Sequence, residues 1–222
     1  MGSEKRPSTA TERQEKRRKR FEENERIIQR SRIIEEANKL KEIPESLFQK
    51  HFSPLSSEFD VSKILIHGMK GDAALEVYEL GRRNMETLYN ACPWKWNAKA
   101  ELAECRSRKM RFVTVRHRAS NTLAAYLEVK MMNDPDDDSL VLYIYSIQVD
   151  ESFQNRGLGR VLMAFAADLA SYCHLEKCRL TVFKHNPRAL QFYRDVCRYQ
   201  IDPISPSQHG ESVCYEIMSK SV

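Results

Sequence analysis

The sequence lacks an apolar run long enough to cross a bilayer. A spanning helix needs about eighteen or more consecutive apolar residues, and the longest stretch, Val161 to Ala170, is interrupted by Asp168. Seven Gly and eight Pro in 222 residues exclude a collagenous or low-complexity chain. The six cysteines, Cys92, Cys105, Cys173, Cys178, Cys197 and Cys214, form no C-x-x-C pair. No Cys/His cluster has zinc-ligand spacing, so no metal is expected. The start of the chain has no apolar h-region, and Arg6 stands where a myristoylation start needs Ser or Thr. Reduced thiols, a nuclear and cytoplasmic location and no membrane partner are the expectation.

Enough apolar material is present for a sizeable core: 41% of residues are hydrophobic and 30% charged. The net charge of +5 is uneven. Residues 1–42 hold thirteen Lys+Arg against nine Asp+Glu, and the remainder is nearly neutral. Residues 1–10 read as disordered. Residues 11–42 read as a basic helix without Gly or Pro, carrying Lys16-Arg17-Arg18-Lys19-Arg20 and then Ile27, Ile28, Ile34, Ala37 and Leu40 as a stripe for packing. The basic run suits nuclear import or contact with a ribosome or nucleic acid, and no recognised base-reading motif accompanies it.

Phe59 to His67 reads as a first strand, and Asp72 as the N-cap of a helix to about Asn90. A short helix over Asn97 to Cys105 precedes strands at Arg111 to Arg116 and Thr122 to Met131. Leu140 to Val149 is almost continuously apolar, as a strand covered on both faces should be. A helix to about Tyr172, a strand at Arg179 to Phe183, a helix from Pro187 to Val196 and two short strands complete an α/β chain with a mixed central sheet.

The loop Gln154-Asn155-Arg156-Gly157-Leu158-Gly159-Arg160 is the informative stretch. It follows the buried strand and opens a helix, whose first N–H groups are unpaired and whose dipole favours anions. Small residues at 157 and 159 let a ligand reach the backbone, which makes a pyrophosphate seat. No Lys-Ser/Thr follows, so it is no P-loop, and a single G-x-G is not the dinucleotide fingerprint.

Q-x-x-G-x-G after a strand, followed by Asn186, Ala189 and Tyr193 as N-x-x-A-x-x-x-Y, resembles the GNAT superfamily of N-acetyltransferases. Further strings resemble the NatD-type N-terminal acetyltransferases: Leu180-Thr181-Val182-Phe183-Lys184-His185-Asn186, Ile201-Asp202, Ser205-Pro206-Ser207, Tyr215-Glu216-Ile217, Asn84-Met85 through Tyr89, and Trp94-Lys95-Trp96. This covers roughly residues 60–219 as one acetyltransferase domain. It implies acetyl-CoA as co-substrate and a monomer. It also implies direct transfer, in a ternary complex, to the N-terminal serine of histone H4 and of the A form of histone H2. A lysine or small-amine acetyltransferase of the same fold is one alternative. A catalytically weak chromatin- or ribosome-binding protein is the other, because fold does not fix function.

The resemblance implies residue roles. Ile147, Gln148 and Val149 would meet the cofactor through their backbone, together with Gln154, Asn155, Arg156, Gly157, Leu158, Gly159, Arg160 and Asn186. Asn186 also suits a helix N-cap. Tyr89, Trp94, Tyr145, Thr181 and Tyr215 match substrate positions, and Asp134 and Asp136 would pair with the arginine of a basic tail. Tyr193 and Tyr215 are rival general acids. The family pattern has a glutamate after Tyr143-x-Tyr145, whereas this chain has Ser146, a poor base. Either ordered water passes the proton on or another group serves, with Glu128 on the neighbouring strand as a candidate.

Overall fold

The structure, a computed structural model, describes residues 10–222. The disorder expected for the first ten residues falls on 1–9, outside the described residues, and on Ala10, which opens α1 (Ala10–Lys39). Intrahelical pairs such as Glu15–Lys19 and Arg18–Glu22 support the polar first half. The expected stripe begins later than its sequence pattern. Phe21, Ile27 and Ile28 are exposed, while Ile33, Ile34, Ala37 and Leu40 pack on the domain. The helix first reaches the domain at Arg26, which pairs with Asp138 at 3.0 Å. Arg30 bonds Glu176 and the Asp138 carbonyl, and Asn38 donates to the Met131 carbonyl.

One eight-stranded sheet carries the fold. Its strands are β1 (Phe59–Val61), β2 (Ile66–His67), β3 (Arg111–His117), β4 (Leu123–Asn133), β5 (Leu140–Val149), β6 (Lys177–Phe183), β7 (Gln200–Ile201) and β8 (Tyr215–Ser221). Their order is β1-β3-β4-β5-β6-β8-β7, with β2 also on β3, and only β5 and β6 pair in parallel. The single strand expected at 59–67 is two, because the intervening chain turns to pair with residues 41–43: Ile43 donates to the Lys63 carbonyl and Leu65 to the Lys41 carbonyl.

Helices α2 (Glu45–His51) and α5 (Leu158–Tyr172) lie on one face, and α3 (Gly71–Asn90) and α4 (Ala98–Cys105) on the other. Alternation along β3 divides its side chains: Val113 and Val115 enter the first core, Phe112 the second. Asn97 caps α4 by accepting from the Ala100 N–H. Asp72 does not cap α3. The helix starts at Gly71, with Lys70 at the cap position and Asp72 in the first turn. The helix expected over 187–196 is α6 (Pro187–Gln191) followed by a π-turn at Phe192–Val196.

Two irregularities in the sheet prepare the site. Glu128 faces Ser146 across β4 and β5, but Val129 faces Ile144, so β5 carries one extra residue, Tyr145. The pairing of β5 with β6 stops at Ile144–Leu180, although β5 runs on to Val149. Residues 145–149 thus have a strand neighbour on one side only, and the sheet opens there.

Candidate active site

The opening between β5 and β6 is the mouth of a cavity of about 1080 Å³. It reaches from the turn before α5, past the bulge, to an aromatic and acidic end formed by α3, α4 and the segment between them.

At the first end, Gly157 caps α5 with φ of 85°. A Cβ there would meet no protein atom within 4 Å, so the space beside this backbone is open to a ligand. Asn155 also has positive φ, and the turn aims the unpaired N–H groups of α5 at the cavity. Gly159 has a different reason to be small: its Cβ would press on the Phe192 ring at 3.3 Å. The Arg156 guanidinium is held by Glu58 at 2.6 Å and lies over the Phe153 ring. Asn186 caps α6 by accepting from the Ala189 N–H at 3.2 Å, and it also lines the cavity. Ile147, Gln148, Val149, Gln154, Leu158 and Arg160 line it as well. The side chains of Asn84 and Gln154 both donate to the Val149 carbonyl, which fixes the end of β5.

At the bulge, Ser146 is tied into a chain of polar groups. Asn84 donates to the Gln148 Oε1, Gln148 donates to the Ser146 Oγ at 3.0 Å, and the Tyr126 hydroxyl lies 3.3 Å from the same Oγ. Gly81 of α3 is small because a Cβ would sit 2.8 Å from that hydroxyl. Tyr145 projects from the bulge and is half exposed. The Thr181 and Tyr143 hydroxyls bond at 2.7 Å.

At the far end, Tyr89 stacks edge-on against Trp96 and Phe183, and burial raises its phenol well above the usual range. Glu101 and Glu104 of α4 line this end with Glu128. Burial raises Glu101, and Glu104 adds to that rise. The sequence reading passed over both α4 carboxylates. Their i, i+3 spacing on a helix just after the Trp94-x-Trp96 segment is the signal that could have found them.

The structure does not bring every expected residue here. Asp134 is buried and bonds Arg179 at 2.5 Å, and the Asp136 N–H donates to Asp134. The loop lies at the start of β5, outside the cavity, so Asp134 and Asp136 are not substrate-arginine ligands in this arrangement. The Asp134 charge is used inside the fold. Tyr215 is outside the lining too. It packs on Trp94, ring centroids 4.7 Å apart, and Trp94 itself lines the rim half exposed. Tyr193 lines the cavity from the π-turn, and burial keeps its hydroxyl protonated far above neutral pH. No cluster of three or more metal-ligating side chains occurs among the described residues.

A parallel pair of strands that part at a bulge, with a glycine-capped helix aimed into the gap, defines an acyltransferase-type site. Residues 75–197, more than half of the chain, match the acetyltransferase (GNAT) family, and the chain belongs to that family. The fold is similar to that of the PaiA N-acetyltransferase of Thermoplasma acidophilum, solved with coenzyme A. The TM-score is 0.52 at 14% identity, over 74% of this chain and 99% of that one. NAA60 of Arabidopsis thaliana, solved with a bisubstrate analogue, gives 0.54 at 11% identity, over 74% and 99%. The ribosomal-protein-S18-alanine N-acetyltransferase of Escherichia coli gives 0.51 at 15% identity, over 74% and 94%.

Proposed function

We propose that the protein transfers the acetyl group of acetyl-CoA to the N-terminal α-amine of a basic protein tail. The NatD-type strings in the sequence direct this to the serine that begins histone H4 and the A form of histone H2. The observation that carries the reading is the acidic, aromatic end of the cavity, where Glu101, Glu104 and Glu128 face space that a cationic chain end can enter. Glu101 and Glu104 take over the role expected of Asp134 and Asp136.

Acetyl-CoA fits the opposite end. The Gly157 backbone is open to a phosphate, and the unpartnered edge of β5 at residues 145–149 offers backbone groups to an extended arm. When bound, it supplies an activated acyl group as a thioester. The residues of this chain orient and shuttle protons around it. Tyr145, Thr181 and Tyr89 border the path of the incoming amine. Tyr193, held protonated by burial, donates to the departing sulfur. An α-amine has a pKa of about 7.7–8.0, so only modest basicity is needed to keep it neutral. The exposed Lys16–Arg20 run suits nuclear import or contact with a ribosome or nucleic acid. A monomer in nucleus and cytoplasm completes the proposal.

The substrate end makes a specific demand. A peptide beginning Ser-Gly-Arg-Gly-Lys should be acetylated with a kcat/KM at least about tenfold above that of the same peptide with Glu in place of Arg and Lys. That corresponds to roughly 1.4 kcal/mol. The gap should narrow as salt screens the carboxylates. Equal rates for the two peptides at low salt would contradict an acidic recognition end.

A further inference from the structure

The geometry points to Glu128 of β4 as the group that accepts the proton of the substrate amine, in place of the serine at 146; this rests on the α-amine reading above. Glu128 and Ser146 are register partners in an antiparallel pair. Their side chains therefore share one face of the sheet, with Cβ atoms about 4.5–5.5 Å apart. Both line the cavity at the bulge that separates Ile144 from Ser146. Ser146 cannot do the work. Its hydroxyl already accepts from Gln148, and a hydroxyl has no basicity near neutral pH.

Glu128 has the opposite character. It is 3% exposed, and its Oε1 has no hydrogen-bond partner among the described residues. A buried carboxylate oxygen without a donor is costly, and an ammonium or amine entering the cavity would supply one. The charged and titratable groups around it are Tyr89 of α3, Glu101, Glu104 and Cys105 of α4, Tyr126 of β4 and Tyr145 of β5. None carries positive charge. Burial first, then Glu104 and Glu101, push the Glu128 carboxyl up to about 8. That matches an α-amine of about 7.7–8.0, so a proton passes between them at little cost.

The step balances. The ammonium gives one proton to the Glu128 carboxylate, and the freed lone pair attacks the thioester carbonyl. The C–N bond forms and the C–S bond breaks. The Tyr193 hydroxyl protonates the departing sulfur and regains its proton from the nitrogen, and Glu128 returns its own proton to water.

The test combines kinetics with a direct titration. With the Ser-Gly-Arg-Gly-Lys peptide, log kcat/KM of the wild type should rise below pH 7 with a slope of about one, because the reacting pair of ammonium and Glu128 carboxylate holds one proton fewer than the acid form. Glu128→Gln should lower kcat/KM by about 10²–10⁴-fold. Adding Ser146→Glu to that variant restores a carboxylate on the same face and should recover at least about tenfold. Ionised Glu128 costs stability, because its folded pKa is raised. The stability of the neutral form is complete below about 4.3 and is lost as pH rises through about 8. Glu128→Gln should therefore melt no lower than wild type at pH 9, whereas a merely structural carboxylate would leave a destabilised variant. A Glu128→Gln enzyme with wild-type rate overturns the assignment.

Isotope-edited infrared titration of the wild-type carboxyl gives a readout that needs no turnover. Titration near 8 upholds the assignment, and titration below about 5 overturns it. A wild type inert toward the peptide refutes the substrate reading alone, and Glu128 is then decided by the infrared titration.

Discussion

Gly157→Val is expected to weaken acetyl-CoA binding by about 100-fold or more while leaving the chain folded. Two causes act together. The residue has φ of 85°, a backbone conformation that a β-branched side chain avoids, so the cap of α5 would shift. The new methyl groups would also enter the space beside the backbone that no protein atom fills within 4 Å. A phosphate seated there takes hydrogen bonds from the helix N-terminus, each worth about 1.5–3 kcal/mol to a charged group. Losing about 3 kcal/mol is somewhat more than a 100-fold change in affinity. Because the Cβ meets no protein atom, the effect belongs to the ligand more than to packing. Gly159→Ala is a useful contrast, since its Cβ presses on Phe192 and would be felt by the fold even without ligand. Calorimetric titration with acetyl-CoA checks the expectation, and an unchanged affinity in a folded Gly157→Val protein would place the phosphate elsewhere.

The largest loss of stability is expected from Arg179→Ala. The guanidinium is 1% exposed and is shared among Asp134 at 2.5 Å, Asp137 at 2.6 Å and Asp202 at 3.2 Å. Removing it strands Asp134 and Asp202 where water cannot reach them easily, while the exposed Asp137 keeps Lys177. Breaking a buried pair in this way costs about 3–5 kcal/mol. In a chain of this size that is a fall in Tm of roughly 6–20 °C.

The pH dependence follows from the same cluster. Burial alone would raise Asp137, but bonds from Arg179, Lys177 and Ser139 outweigh it and hold the carboxyl far below its usual range. Burial opposes Asp202 likewise, and its hydrogen bonds with Ser219 and Ile204, with the charges of Arg179 and Lys177, win. A lowered folded pKa gives stability that is present above the unfolded value of about 3.9. It is lost as pH falls through the folded value. The wild type should therefore lose stability as pH drops below about 4, and Arg179→Ala should lose less over that interval. Urea melts from pH 7 down to pH 3 measure both, and an Arg179→Ala variant as stable as wild type at pH 7 would refute this view of the cluster.

That cluster also explains where the sequence misleads. Asp134 and Asp136 stand in an acidic loop that reads as a surface for a basic substrate. The partner that claims Asp134 lies 45 residues further on, and no local pattern joins them. Other features were legible because their causes are local. The run Leu140 to Val149 is apolar because the strand is covered on both faces, and it is β5 residue for residue. Asn186 caps a helix as its position before a helical segment suggests. Gly157 stands at positive φ beside open space, as a small residue in a turn that opens a helix suggests. The bulge at Tyr145 was not legible, since an extra residue in one strand shows only against the register of its neighbour. The choice between Tyr193 and Tyr215 was equally closed, because it depends on a π-turn that carries Tyr193 to the cavity and on a Trp94 ring that engages Tyr215. Glu128 stood between these cases. The missing glutamate at 146 made it a suspect, and only its register partner and its unpartnered oxygen give it a position in the site.

One measurement bears most directly on acetyl transfer to a free chain end. The protein is incubated with acetyl-CoA and a Ser-Gly-Arg-Gly-Lys peptide, and in parallel with the same peptide already blocked at its N-terminus. The added acetyl group is then located by fragmentation mass spectrometry. The expected result is acetyl on the serine α-nitrogen of the free peptide and no acetyl on the blocked one. Acetyl on the lysine side chain of both peptides would contradict an N-terminal acetyltransferase and assign the site to side-chain amines.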